Sequence, residues 1–145
     1  MPTQLLVTLP WPPVSTNRLY ATVSANTRGG LARVLVPEAR AWRDEVIVRA
    51  RGWGWYPPKT GDLALLLWIC MPDRRRRDIS NYVKLTEDAL ALALDFDDSR
   101  IRTLHVERQV DKANPHIQAQ LYEWGPLPSF AGGGTGEIER VLRRR

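Results

Sequence analysis

The chain has one cysteine, Cys70, and two histidines, His105 and His116, in 145 residues. A single thiol forms no internal disulfide, and three Cys and His side chains in all are too few for a zinc cage built on thiolates or imidazoles. Any metal here would be held by carboxylates. Lysine is also scarce, appearing only at Lys59, Lys84 and Lys112, so arginine supplies nearly all the positive charge. No apolar run approaches the roughly 20 residues of a membrane span, and the N-terminus has no charged segment leading into an apolar signal core. The expected location is the cytoplasm, with no membrane partner.

What is present is 43% hydrophobic residues and 26% charged residues, the content of a globular domain large enough to bury one core without covalent staples. The net charge is +5. Because the guanidinium fork matches phosphate through two hydrogen bonds, an arginine-based excess points to a phosphate-rich partner.

From Gln4 to Leu9 the chain is apolar and β-prone, then stops at Pro10-Trp11-Pro12-Pro13, where fixed backbone angles and missing amide donors end a strand. A polar loop with Ser15, Thr16, Asn17 and Arg18 follows and runs to Gly30. A short strand is expected around Arg33 to Val36. Pro37 then suits the first position of a helix reaching about Arg51, with Ala39, Trp42, Val46 and Ala50 as its apolar stripe. Leu63 to Met71 is continuously apolar, which marks a strand buried on both faces. A second helix follows Arg74 to Arg77, then strands near Ile101 to Val110 and His116 to Tyr122. The order β-β-α-β-α-β-β predicts a single α+β domain, a mixed sheet of about four or five strands with two main helices, over residues 1–125. Residues 126–145, with Gly132-Gly133-Gly134 and three terminal arginines, read as a linker and basic tail.

The informative segment is PDRRRRDISNYVKLTEDALALALDFDDS, Pro72 to Ser99. Arg74, Arg75, Arg76 and Arg77 lead into Asp78, which like Ser80 or Asn81 can cap the exposed amides of a helix. Along that helix Tyr82, Leu85, Ala89 and Leu92 are spaced as a buried stripe, beside a polar one of Asn81, Lys84 and Asp88. The helix ends in Asp95-Phe96-Asp97-Asp98, whose mutual repulsion needs a cation or solvent. Magnesium is the matching ion, since it takes oxygen ligands from one or two carboxylates plus substrate phosphate. Asp78 and Asp98 lie at opposite ends of a helix expected to span roughly 20 Å, a gap that spacing alone does not close. Metal-dependent phosphodiester cleavage and simple nucleic-acid binding both fit this segment.

The opening LPWPPVSTNRLY, the central MPDRRRRDISNYVKLTEDAL and the following DFDDSRI, in this order and spacing, resemble the RusA family of Holliday-junction resolvases. The resemblance covers about Gln4 to Glu123. It implies a homodimeric magnesium endonuclease that binds four-way junction DNA and nicks two opposing strands symmetrically. By position it implies Asp78, Lys84 and Asp98 as catalytic residues and Asp78 and Asp98 as metal ligands, with Mn2+ as a substitute ion. It also places Asn81 beside the DNA. The second acid of the family's Asp-x-Asp falls on Ser80, whose hydroxyl can ligate a cation but brings no charge. Asp88, or Asp97 and Asp95 beside Asp98, are the candidates to replace it. Arg18 and Arg74 to Arg77 are expected to hold phosphates without reading bases. Trp11, Trp53 and Trp55, in loops, suit either base stacking or packing.

Overall fold

In the computed structural model, residues 2–13, 18, 20–24 and 30–125 are described. The polar loop positions 15–17 and the linker and tail at 126–145 lie outside them. The elements are β1 (Leu5–Pro10), β2 (Tyr20–Ser24), β3 (Leu31–Leu35), α1 (Pro37–Gly52), β4 (Leu63–Met71), α2 (Ile79–Leu94), β5 (Ile101–Val110) and β6 (His116–Glu123). The domain is α+β, as its pattern of apolar segments predicts.

Four strands form one mixed sheet in the order β1-β6-β4-β5. β4 pairs parallel with β5 and antiparallel with β6, and β6 pairs antiparallel with β1. The β4–α2–β5 crossover thus carries the motif-bearing helix between two parallel neighbours, as a parallel pairing requires. The interior position of β4 accounts for its unbroken apolar sequence. Leu63, Leu65, Leu67, Ile69 and Met71 point to the helices, while Ala64, Trp68 and Cys70 are buried on the opposite face.

The helix-side core is completed by Leu5, Val7 and Leu9 of β1 and Ile117, Ala119 and Leu121 of β6. Over them lies α1, whose Ala39, Trp42, Val46 and Ala50 are all buried, as their spacing predicts. α2 buries Tyr82, Leu85, Thr86, Ala89, Leu90, Ala93 and Leu94. Leu92 departs from the expected stripe: it is 51% exposed. Helical spacing gives a face, but the neighbouring layer stops short of that face's rim.

β2 and β3 form a separate antiparallel hairpin, in which Tyr20 opposes Leu35 and Ser24 opposes Leu31. The sequence reading has this first strand inside a loop. Among the loop tryptophans, Trp55 is buried in the core, and Trp53 donates from Nε1 to the Gln4 carbonyl at 2.8 Å. No helix among the described residues is long and apolar enough to cross a membrane.

Candidate active site

The proline loop is fastened to both helices. Trp42 Nε1 on α1 donates to the Pro10 carbonyl at 2.7 Å, and the Trp11 ring lies 4.9 Å from that of Tyr82 on α2. The loop's beginning therefore sits against the first turns of α2, the helix that opens at Asp78. Arg18, further along, is exposed.

Asp78 is the N-cap of α2, with extended backbone and a carboxylate accepting from the Ser80 amide at 3.0 Å. This contact satisfies one orphan amide and sets negative charge at the positive end of the helix dipole. Ser80 is exposed and Asn81 half-buried in the same turn.

The arginine run before the cap divides into different roles. Arg77 holds Asp73 through Nη1–Oδ1 at 2.5 Å and Nη2–Oδ2 at 3.1 Å, a two-pronged pair. The Arg77 hydrogen bonds, then the Arg75 amide at 2.9 Å, depress the Asp73 carboxyl to about 2. Arg108 of β5 donates to the Arg75 carbonyl at 2.8 Å and ties the loop to the sheet. Arg74 and Arg76 are exposed and make no ion pair among the described residues. Arg75 has one long contact, Nε to Asp73 Oδ2 at 3.8 Å, and is also exposed, so Arg74, Arg75 and Arg76 are the members of the run with side chains open to an outside phosphate.

At the other end of α2, Asp95 adopts left-handed backbone, φ 54°, and its amide bonds the Ala91 carbonyl. Aspartate tolerates this conformation better than most side chains. Arg51 Nε caps a further carbonyl, that of Ala93, at 2.9 Å. The chain reverses into a 3-10 turn, Asp98–Arg100, whose cap is Asp97, accepting from the Ser99 amide at 2.9 Å. That amide, then the Ser99 hydroxyl, pulls the Asp97 carboxyl below its ordinary range. Arg100 anchors the turn through the carbonyls of Gly61 and Pro58 at 2.8 and 2.6 Å.

The reversal carries Asp98 back along the helix. Lys84 Nζ lies 2.8 Å from Asp88 Oδ1 and 2.9 Å from Asp98 Oδ2, so one ammonium joins two carboxylates. Lys84 sits six positions after Asp78, about 9 Å along the helix axis at 1.5 Å per residue. The turn thus brings Asp98 back to the level of Lys84, while Asp78 stays at the start of the helix. Hydrogen bonds that the ammonium donates to Asp88, then Asp98, hold the lysine well above its usual range, so it stays protonated at neutral pH. With 61% of the Lys84 side chain exposed, such pairs contribute only ~0.2–1 kcal/mol each, too little to explain the cluster as a stabilising device.

Glu87, absent from the sequence expectations, is half-buried beside this cluster, and burial raises its carboxyl above the ordinary range. Its only signal in the sequence is its position three residues after Lys84. Asp97 and Asp95 are taken up by caps. Among the described residues, no three of His, Cys, Asp and Glu come together as a ready metal cage. The donor set is nonetheless all oxygen, which suits a hard cation held by one or two carboxylates, waters and a substrate phosphate.

The arrangement thus offers carboxylates along one helix face, a permanent ammonium between two of them, and unpaired arginines at the helix start. Comparison with known proteins agrees. A family model described as endodeoxyribonuclease RusA matches residues 10–122, a span holding the proline loop, α2 and the Asp98 turn together. Crossover junction endodeoxyribonuclease rusA of Enterobacteria phage 82 is 31% identical over 126 residues, covering 82% of this chain and 94% of that protein. With the motif residues seated on one helix and its flanking turns, the chain belongs to the RusA family of endodeoxyribonucleases.

Proposed function

We propose that this protein is a magnesium-dependent endonuclease which, as a homodimer in the cytoplasm of a bacterium, resolves four-way DNA junctions by paired symmetric nicks. The observation that carries this reading is the Lys84 ammonium set between Asp88 and Asp98 on the helix that Asp78 caps. The phage relative's name, a crossover junction endodeoxyribonuclease, supports the substrate.

Asp78 and Asp98 are the residues that would hold magnesium, or manganese in its place, with Ser80 and Asp88 as further oxygen donors. When bound, such an ion supplies Lewis-acid stabilisation of a phosphoryl oxygen and acidifies a bound water. Lys84, kept protonated by its two acids, is suited to offset charge developing on the scissile phosphate and unsuited to act as a base. Arg74 and Arg76, with Arg18 and Arg75, hold flanking phosphates, and Arg77 shapes their loop through Asp73. Asn81 lies in the same first turn, where it can reach the DNA backbone. Contacts of this kind give affinity without base readout and fall steeply with salt. Two symmetric cuts need two such sites related by a two-fold axis, which a C2 homodimer provides.

The test is incubation of the purified protein with a synthetic four-way junction and with linear duplex of the same sequence, with and without magnesium. Paired nicks in the junction alone, requiring the ion, are expected. Intact junctions across magnesium and manganese titrations would sink the cleavage reading.

A second reading, junction binding with weak or no cleavage, is favoured by Ser80, which leaves the start of α2 with one acid where the family pattern has two. Ser80→Asp separates the two. If cleavage is limited by metal affinity, the substitution lowers the magnesium needed for half-maximal cutting by roughly tenfold, about what one added ligand charge worth 1.4 kcal/mol gives. An unchanged requirement means another oxygen already fills that place.

A further inference from the structure

A groove of about 430 Å³ runs between the β2–β3 hairpin, α1 and α2, outside the arginine loop. Its wall carries Arg33 from β3 and Arg40 and Arg43 from successive turns of α1, its floor includes Leu85 and Leu92, and Asp88 stands at its margin. Arg40 Nη2 donates to the Leu35 carbonyl at 3.3 Å, a contact that leaves its other donors available. Arg43 has a buried Nε without a hydrogen-bond partner, its nearest carboxylate being Asp44 at 4.0 Å. Among the described lining residues the one acid is Asp88, and it is already paired with Lys84. Arg40 and Arg43 therefore bring guanidinium donors to a groove whose one acid among the described lining residues is already engaged.

The exposed Leu92 has a role in this setting. An apolar floor below a cationic wall does not suit a small hydrated anion, but it suits a chain of phosphates joined by sugars, with the sugar faces down and the phosphates on the arginines. Through Asp88 the groove opens onto Lys84 and Asp98. We propose that this groove is a second phosphodiester-binding site, which seats the backbone of the DNA strand adjoining the scissile phosphate and delivers it to the Asp88–Lys84–Asp98 cluster. The inference rests on the endonuclease reading and extends it to residues on α1 and β3.

The experiment measures equilibrium binding of a fluorescent four-way junction, in chelator so that no cutting occurs, as a function of salt. Losing two phosphate contacts in Arg40→Gln/Arg43→Gln should flatten the log–log salt slope by about 1.8, at 0.9 per contact. It should also weaken binding on the order of tenfold per arginine. Arg49→Gln, which removes the same charge from α1 outside the groove, should leave the slope in place. Equal slopes in the double variant and the wild type, or an equal drop in Arg49→Gln, overturn the groove. If the wild-type protein does not bind junctions at all, the endonuclease reading fails with it, whereas full wild-type binding with an insensitive double variant removes the groove alone. A measurement on the unmodified chain guards against misfolded variants. Junction DNA should shield Arg33, Arg40 and Arg43 from phenylglyoxal, read by mass spectrometry, at concentrations where inorganic phosphate of the same ionic strength does not. Modification at the same rate with and without DNA, or shielding by phosphate alone, overturns a strand-binding groove.

Discussion

The two ends of α2 are both marked by aspartate, and the structure uses them in opposite ways. At the start, Asp78 serves the backbone and faces solvent, with the charge of an arginine loop beside it. At the far end, three acids that read in sequence as one cluster separate into three functions. Asp95 ends the helix in left-handed backbone, Asp97 caps the next turn, and Asp98 alone reaches Lys84. Closeness in sequence therefore does not make a metal cage here; what assembles the site is the reversal that returns one acid to the middle of the helix.

The largest effect that would break this comparison concerns those three acids. Asp98→Asn should lower junction cleavage by roughly 10²–10³-fold, the equivalent of several kcal/mol of transition-state stabilisation. Asp97→Asn and Asp95→Asn, which keep a capping or left-handed-tolerant amide, should stay within about threefold of wild type. Cleavage rates on one junction in single turnover check it, and a loss in Asp97→Asn equal to that in Asp98→Asn would restore the cluster view.

The start of the helix can be sharpened by separating capping from chemistry. Asparagine caps helices about as well as aspartate, so Asp78→Asn should melt like wild type yet lose cleavage on the scale of Asp98→Asn. Asp78→Ala should lose the same activity and in addition about 1 kcal/mol of stability, read by denaturant unfolding. Full activity in Asp78→Asn would reduce this residue to a cap.

Much of the frame behind this comparison was legible in the sequence, for identifiable reasons. The unbroken apolar run of β4 can only be an interior strand, and Ala39, Trp42, Val46 and Ala50 repeat at a period that only one helical face satisfies. The Asp78 cap was legible as one of three candidates. The β2 strand was not, because it pairs locally with β3 away from the sheet and lies in a polar stretch bordered by Gly29 and Gly30. The exposure of Leu92 depends on where the neighbouring layer ends, which periodicity does not encode. The contact of Lys84 with Asp98 depends on the backbone angles of Asp95 and on the anchoring of Arg100 by two distant carbonyls. The Asp73–Arg77 pair was visible as opposite charges four residues apart, and reading the four arginines as one phosphate-binding set obscured it.

A smaller effect tests whether the helix end is built around the reversal. Asp95→Gly removes the left-handed penalty of a side chain at φ 54° but adds unfolded-state freedom, so the net change should be within about 1 kcal/mol of wild type. Cleavage should be unaltered, since glycine keeps the turn that returns Asp98. A drop in cleavage with normal stability would give the Asp95 carboxylate a part in the chemistry.

The smallest effect lies in the arginine loop and is a matter of pH. The Asp73 carboxyl titrates at about 2 in the fold against an ordinary 3.8, because Arg77 and the Arg75 amide favour its charged form. A carboxyl depressed by folding contributes stability that is fully present above its unfolded value and is lost as pH falls through the folded one. Asp73→Asn should therefore melt below wild type by a constant margin from neutral pH down to about 4, and the margin should close between about 4 and 2. Because the pair is largely solvated, added salt should shrink the margin at neutral pH as well. The variant also frees Arg77, so junction binding at low salt should be no weaker than wild type. Weaker binding would mean that the order Asp73 imposes on the loop matters more to DNA than the charge it neutralises.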